Sequence, residues 1–388
     1  MAIRIIFTLS AIFGLHRRIV MLRTGNNFAI LFILLLLPVV KTSGLPADDQ
    51  KGTGNIIYNV NVHTGTALPH NDMLIYLNRE FIRGLELNAW FANPETADRY
   101  STVFGGGYFF SNLGNRDVMG NIHAVYMSII NPLSGYFSSA DLKVNLGVGY
   151  ATNPYDPENN YFNRGIGSHL NMYGQIALNW KIPLTENRWI LRPGMSFNHV
   201  SNGTVVSPNS GINMLTFSAG LDFMSDHSHS GRMVLERDTV THKKHRFSLT
   251  VAPGIKQMDR RIDKQILTSS LIFDYGYFLG KDVSVGMVLG LYYNETWAYH
   301  PYHGKDETLS PFQSAAHISL QKNIGPLAFF LHPGTYIHMP ARDIPYFAGR
   351  LGLSYTFENN MIAHFAIKHH WFAIADYFEW GIGYRFNR

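Results

Sequence analysis

The sequence predicts an all-β protein, a transmembrane antiparallel β-barrel of about 14–16 strands. Three observations carry that expectation. Segments of about ten residues alternate apolar with polar or small side chains, some sixteen times along the chain. Charged residues make up only 15% of the 388 residues and aromatics 14%, with 35 glycines and 21 tyrosines, against ~25% charged in an average soluble chain. Counted back from the C-terminus, short turns alternate with longer links, as the two ends of an outer-membrane barrel require.

The elements follow in chain order. The block Phe28 to Val40, "FAILFILLLLPVV", is shorter than the ~20 apolar residues of a spanning helix, and it follows Arg23 and precedes "KTSG". It reads as the h-region of a signal peptide over residues 1–44, with Met21 an alternative start. Residues 45–388 are then the barrel. Strands are expected at Asn55–Thr66, Gly84–Asn93, Tyr100–Ser111, Asn121–Pro132, Lys143–Thr152, Ser168–Ile182, Arg188–Ser201 and Gly211–Met224. Eight more follow at Arg246–Gln257, Gln265–Leu279, Asp282–Trp297, Pro311–Asn323, Pro326–His338, Tyr346–Phe357, Met361–Trp371 and Asp376–Phe386. Helical periodicity is confined to Asn71–Gly84. The short turns fall at 358–360, 323–326, 280–282 and 183–187. The link Ser225–His245, long and charged, breaks the alternation and reads as an insertion.

Composition excludes several classes. The net charge of +5 comes from scattered Lys and Arg, so no nucleic-acid partner is expected. The absence of cysteine removes disulfides and thiolate metal sites. His227, His229, His242 and His245 have metal-like spacing but stand in a charged segment, so neither a metal nor a cofactor is expected.

The hairpin "FNHVSNGTVVSPNSGINMLTF", Phe197 to Phe217, carries the candidate chemistry. Strand side chains alternate faces. From Trp189 the odd positions form an apolar, lipid-facing set, and Arg192, Gly194, Ser196 and Asn198 form a polar lumen set. Pro193 is expected to mark a bulge. His199, Ser201 and Asn213 thus share the lipid face at one rim. Polar groups on such a face are costly and tend to be functional. A serine two residues from a histidine can place its hydroxyl near an imidazole nitrogen, the arrangement that activates a weak nucleophile. Asn213 can orient the other ring nitrogen, and the N–H groups of Asn202 and Gly203 with the Asn209 side chain can stabilise an oxyanion. The bland alternative is a polar turn with a snorkelling histidine.

The hairpin's H-x-S-N-G and P-N-x-G-I-N pattern resembles the active-site hairpin of the outer-membrane lipid A 3-O-deacylases (PagL-type, acyloxyacyl hydrolases). It is most similar to long forms of Bacteroidetes type. "TGTALPHND", "FGGGYFFSNLGNRDVMGN" and "GIGSHLNMYGQIALNWKI" extend the likeness over residues 55–224. The resemblance implies a hydrolase that removes a 3-O-linked acyl chain from lipid A in lipopolysaccharide, with His199 as base and Ser201 as nucleophile. It departs at Asn213, where the compact enzymes carry an acid. A structural or channel-forming outer-membrane barrel is the alternative. In the last hairpin, parity places His369 and Asp376 on the apolar face and His364, Lys368 and His370 in the lumen.

Overall fold

In a computed structural model of the chain, the described residues are 55–92, 103–133, 139–185, 188–224, 244–257, 264–280, 282–299, 309–340, 346–370 and 374–386. The expected leader, most of the link Ser225–His245, and Trp371 lie outside them.

The described residues are nearly all in antiparallel β-strands and their connections, as expected, but the strands close twice. The first unit contains β1 (Asn55–Ala67), β2 (Ile82–Ala92), β3 (Val103–Asn112), β4 (Asn121–Pro132), β5 (Ala140–Ala151) and β6 (Leu170–Trp180). The short β7 (Ile182–Pro183), β8 (Trp189–Ser201) and β9 (Ile212–Met224) complete it. From β1 to β6 each strand pairs with its sequence neighbour; β8 pairs with β6, β7 and β9, and β9 returns to β1, with Val60 opposite Leu221. The helix α1 (Asp72–Leu77) lies between β1 and β2. The second unit runs through β10 (His245–Gln257), β11 (Gln265–Phe278), β12 (Val283–Asn294) and β13 (Phe312–Ile324). It continues with β14 (Leu327–His338), β15 (Phe347–Thr356), β16 (Met361–His370) and β17 (Ile374–Arg385), and β17 closes on β10.

The expected single barrel of 14–16 strands is therefore corrected to two barrels of eight. Both solutions leave no open edge in lipid, and both satisfy the same local alternation. The choice rests on whether β9 pairs with β1 or with β10. The link that breaks the alternation of loop lengths falls at this boundary.

An eight-stranded barrel has an interior just wide enough for side chains to fill it, and both are filled. In the first, Glu86 accepts from Lys143 Nζ (2.6 Å), Asn61 Nδ2 (2.8 Å) and Tyr126 Oη (2.8 Å), with His63 Nε2 at 3.1 Å. Arg192 bridges Asp141 and Asp222. In the second, Arg350 pairs with Glu379 (2.6 Å) and Lys368 with Asp376 (2.6 Å). Such pairs meet the rule that charges taken from water need partners, and a lumen packed with them does not support a channel. The outer faces are apolar, with Val62, Val125, Met127 and Phe217 exposed on one barrel and Leu267, Leu289, Leu291 and Ile382 on the other.

Two local expectations are corrected. Pro193 does not shift the register: Arg192, Pro193 and Gly194 pair in sequence with Gly220, Ala219 and Ser218. Its missing N–H coincides instead with the interruption between β6 and β7. Asp376 points inward and is fully buried. Lys368 pairs with Tyr377 but His369 with Ala375, so Asp376 is the extra residue of a bulge, which reverses its face. His364, Lys368 and His370 are buried as expected.

Candidate active site

The site forms where β8 and β9 leave the first barrel. On the inner side, Val200, Ile212 and Met214 join a buried apolar cluster with Leu74 and Leu77 of α1 and with Phe109 and Tyr173. This packing fixes the backbone of the hairpin from within. Alternation then turns His199, Ser201 and Asn213 outward, with His199 directly opposite Asn213 across the ladder.

His199 Nδ1 and Asn213 Oδ1 are 2.7 Å apart. An amide oxygen can only accept, so Nδ1 carries the proton and Nε2 keeps its lone pair. The ring lies against Gly211, whose φ is +73°. A Cβ there would stand 3.0 Å from His199 Cε1 and 3.4 Å from Ser201 Cβ. On the other flank His199 faces Gly174 of β6, beside which a Cβ would meet nothing within 4 Å. The histidine therefore has an open notch on the lipid face.

Ser201 is 4% exposed. Its Oγ accepts from Asn209 Nδ2 at 2.8 Å and from the Gly203 N–H at 3.2 Å. Asn209 is held in turn: its Oδ1 accepts from the Asn202 N–H at 3.1 Å, which aims its amide nitrogen at the hydroxyl. Asn202 Nδ2 donates to Ser168 Oγ and to the Val206 carbonyl, both at 2.9 Å. The structure thus brings His199 to Asn213, and Ser201 to Asn209 and Gly203. The hydroxyl's hydrogen bonds go to those donors rather than to His199, and the Asn202 N–H is engaged with Asn209.

Sequence reasoning missed three contributors: Ser168, Gly174 and His70. All three stand inside the stretches that carried the resemblance, which was their one available signal. His70 Nδ1 lies 3.4 Å from Asn213 Nδ2. Of the four spaced histidines, only His245 is described; it contacts Tyr275 Oη at 3.0 Å, and no metal-holding cluster occurs among the described residues.

Comparison with known proteins decides the assignment. The family model for lipid A 3-O-deacylase (PagL) matches residues 84–222, and that for the acyloxyacyl hydrolase C-terminal domain matches residues 245–388. The chain belongs to the lipid A 3-O-deacylase family. It is accordingly an ester hydrolase of the outer membrane. The two matched stretches fall on the two barrels. No curated protein matches the chain. Among solved structures, Neisserial surface protein A is 12% identical, with a TM-score of 0.29, covering 43% of this chain and 96% of its own. The siderophore receptor PirA from Acinetobacter baumannii is 9% identical, with a TM-score of 0.23, covering 85% of this chain and 69% of its own. Neither likeness bears on the deacylase chemistry.

Proposed function

We propose that this deacylase cleaves the ester through Ser201 as nucleophile and His199 as general base, on lipid A lying in the outer leaflet beside the hairpin. The observation that supports this reading most is the set of partners around Ser201. A hydroxyl has two acceptor lone pairs and one proton to give. Asn209 Nδ2 and the Gly203 N–H take acceptor positions, so the proton is the group left to transfer. His199 stands two residues away on the same face, with Nε2 free to receive it. Hydrogen bonds in resting sites often tighten only when substrate is bound.

In the forward step Ser201 Oγ bonds to the ester carbonyl carbon as its proton passes to His199 Nε2. The negative charge that develops on the carbonyl oxygen is met by the Gly203 N–H and the Asn209 amide, which pass to it from the serine oxygen as the new bond forms. Collapse breaks the bond to the 3-oxygen of the sugar, which leaves as the alcohol with the proton from His199. Water, deprotonated by the same nitrogen, then releases the fatty acid from the serine. The acyl chain runs along Phe197, Leu215 and Phe217, where the outer face is apolar. Asn213 orients His199 but cannot offset an imidazolium charge, which predicts slower turnover than an acid would give.

Mass spectrometry of lipid A from cells with and without the protein tests the activity. The same comparison with Ser201→Ala tests the mechanism; undiminished loss of the 3-O-acyl chain with that variant would refute it.

A further inference from the structure

We propose that His70 is a positioning residue, whose Nδ1 holds the Asn213 amide so that Oδ1 faces His199. The inference rests on the roles of Ser201 and His199 proposed above. An amide has two unlike ends, and only one serves this site. With Oδ1 toward His199, Nδ1 is protonated and Nε2 is the basic nitrogen. With the amide reversed, its NH2 would require a bare Nδ1, the ring proton would move to Nε2, and the base would be blocked on the side that must receive the serine proton. An unsupported asparagine can adopt either orientation, whereas a carboxylate in that place would present an acceptor both ways.

His70 supplies the discrimination. Asn213 Oδ1 is 2.7 Å from His199 and Nδ2 is 3.4 Å from His70 Nδ1, so the amide spans two imidazoles and donates to one while accepting from the other. The corner that carries His70 is anchored on both sides. The Leu68 N–H donates to the Asn213 carbonyl at 2.8 Å. Asn71 caps α1 by accepting from the Leu74 N–H at 2.9 Å, and Asn78 Nδ2 donates to the Ala67 carbonyl at 3.1 Å. Leu74 and Leu77 lock the helix into the apolar cluster. Acceptance at Nδ1 requires a neutral ring. Partial burial lowers the His70 pKa, outweighing hydrogen bonds to the Ser210 and Leu68 backbone that act to raise it. A neutral His70 can accept; a protonated one would repel the amide's donor.

The test uses the full-length protein in vesicles containing lipid A, with kcat and KM read separately. His70→Leu is expected to lower kcat about tenfold with little change in KM, the scale of coupling between neighbours in one hydrogen-bond network. His70→Asn, which puts a carbonyl oxygen close to the place of Nδ1, is expected to restore most of kcat. In an Asn213→Asp background, whose carboxylate needs no orienting, His70→Leu is expected to cost little. Unchanged kcat in His70→Leu would overturn the proposal, as would equal losses for Leu and Asn at position 70. The same holds for an equal loss from His70→Leu in both Asn213 backgrounds. The rescue by Asn is read in the unaltered background, so the proposal is still judged there if the Asp variant itself proves inactive. Ser201→Ala measured in parallel separates the failures: if it stays active, the catalytic reading falls and takes this one with it, whereas if it is inactive the His70 results judge the positioning role alone.

Discussion

The two barrels have the same wall, eight antiparallel strands closed on themselves, and fill their interiors in the same way, yet among the described residues the proposed reactive groups stand on the rim of the first. A matched pair of positions shows the difference. In each barrel an outward histidine faces a glycine across the ladder: His199 opposite Gly174, and His369 opposite Gly349. In the second barrel the ring lies over the glycine, so that a Cβ at Gly349 would come within 2.0 Å of His369. In the first barrel Asn213 draws the ring to the other side, and the space over Gly174 is open. The connections differ as well. Residues 202–211 between β8 and β9 carry Gly203 and Asn209 onto the serine, whereas β16 and β17 are joined by the much shorter 371–373. Their hairpin sends Asp376 into the lumen to meet Lys368. The barrel is thus a shared scaffold, and the proposed function rests on the residues set on the rim of the first.

That contrast can be broken most directly at the reacting groups. Ser201→Ala and His199→Ala are each expected to reduce deacylation by about a thousandfold or more, because members of a catalytic unit fail together. Both variants should keep their heat-modifiable gel mobility, since the wall and core are untouched. The next effect in size is expected at Asn209→Ala, about a hundredfold or more in kcat, the scale for removal of one oxyanion donor. Single-turnover measurement of acyl-enzyme formation would check it.

Asn213→Ala is expected to cost about 10- to 100-fold, less than removal of a reacting group. Asn213→Asp sharpens the point, because an ionised partner would stabilise the imidazolium and raise the rate; a fall in rate would mean that desolvation at the rim keeps the acid neutral. Gly174→Phe is expected to act through space alone. It fills the notch beside His199 and should raise KM by several-fold for long acyl chains, since a pocket distinguishes each methylene by ~1–3 kcal/mol. Equal KM across chain lengths would show that the notch does not hold substrate.

The smallest effect on activity is expected from the second lumen. Glu379→Ala leaves Arg350 buried without its main partner, which costs ~3–5 kcal/mol, and should lower the temperature at which the barrel loses its heat-modifiable form. Deacylation below that temperature should be unchanged. Glu86→Ala, the equivalent loss in the first barrel, should lower stability by a similar amount. A drop in kcat for Glu379→Ala at a temperature where the fold persists would show that the barrels are not functionally separate.

Much of this was legible in the sequence, because strand geometry is local. Alternation with period two put His199, Ser201 and Asn213 on one face and Arg192, Ser196 and Asn198 on the other, which is where they lie. Asn121–Pro132 was read with its observed bounds, and most other strands came within a few residues. Pro193 and Asp376 were misread for opposite reasons: the proline broke a ladder without shifting it, and a bulge with no sequence signature turned the aspartate around.

The tertiary structure alone decided three things. It chose β1 rather than β10 as the partner of β9, and so two closures rather than one, since either edge offers the same backbone groups and the same alternation. It turned the Ser201 hydroxyl toward Asn209 and Gly203. It also brought His70 to Asn213 across a long stretch of sequence. Periodicity and spacing report which face a residue occupies; which distant residue stands beside it depends on pairings whose local chemistry is nearly equal, and only closure of the whole sheet selects among them.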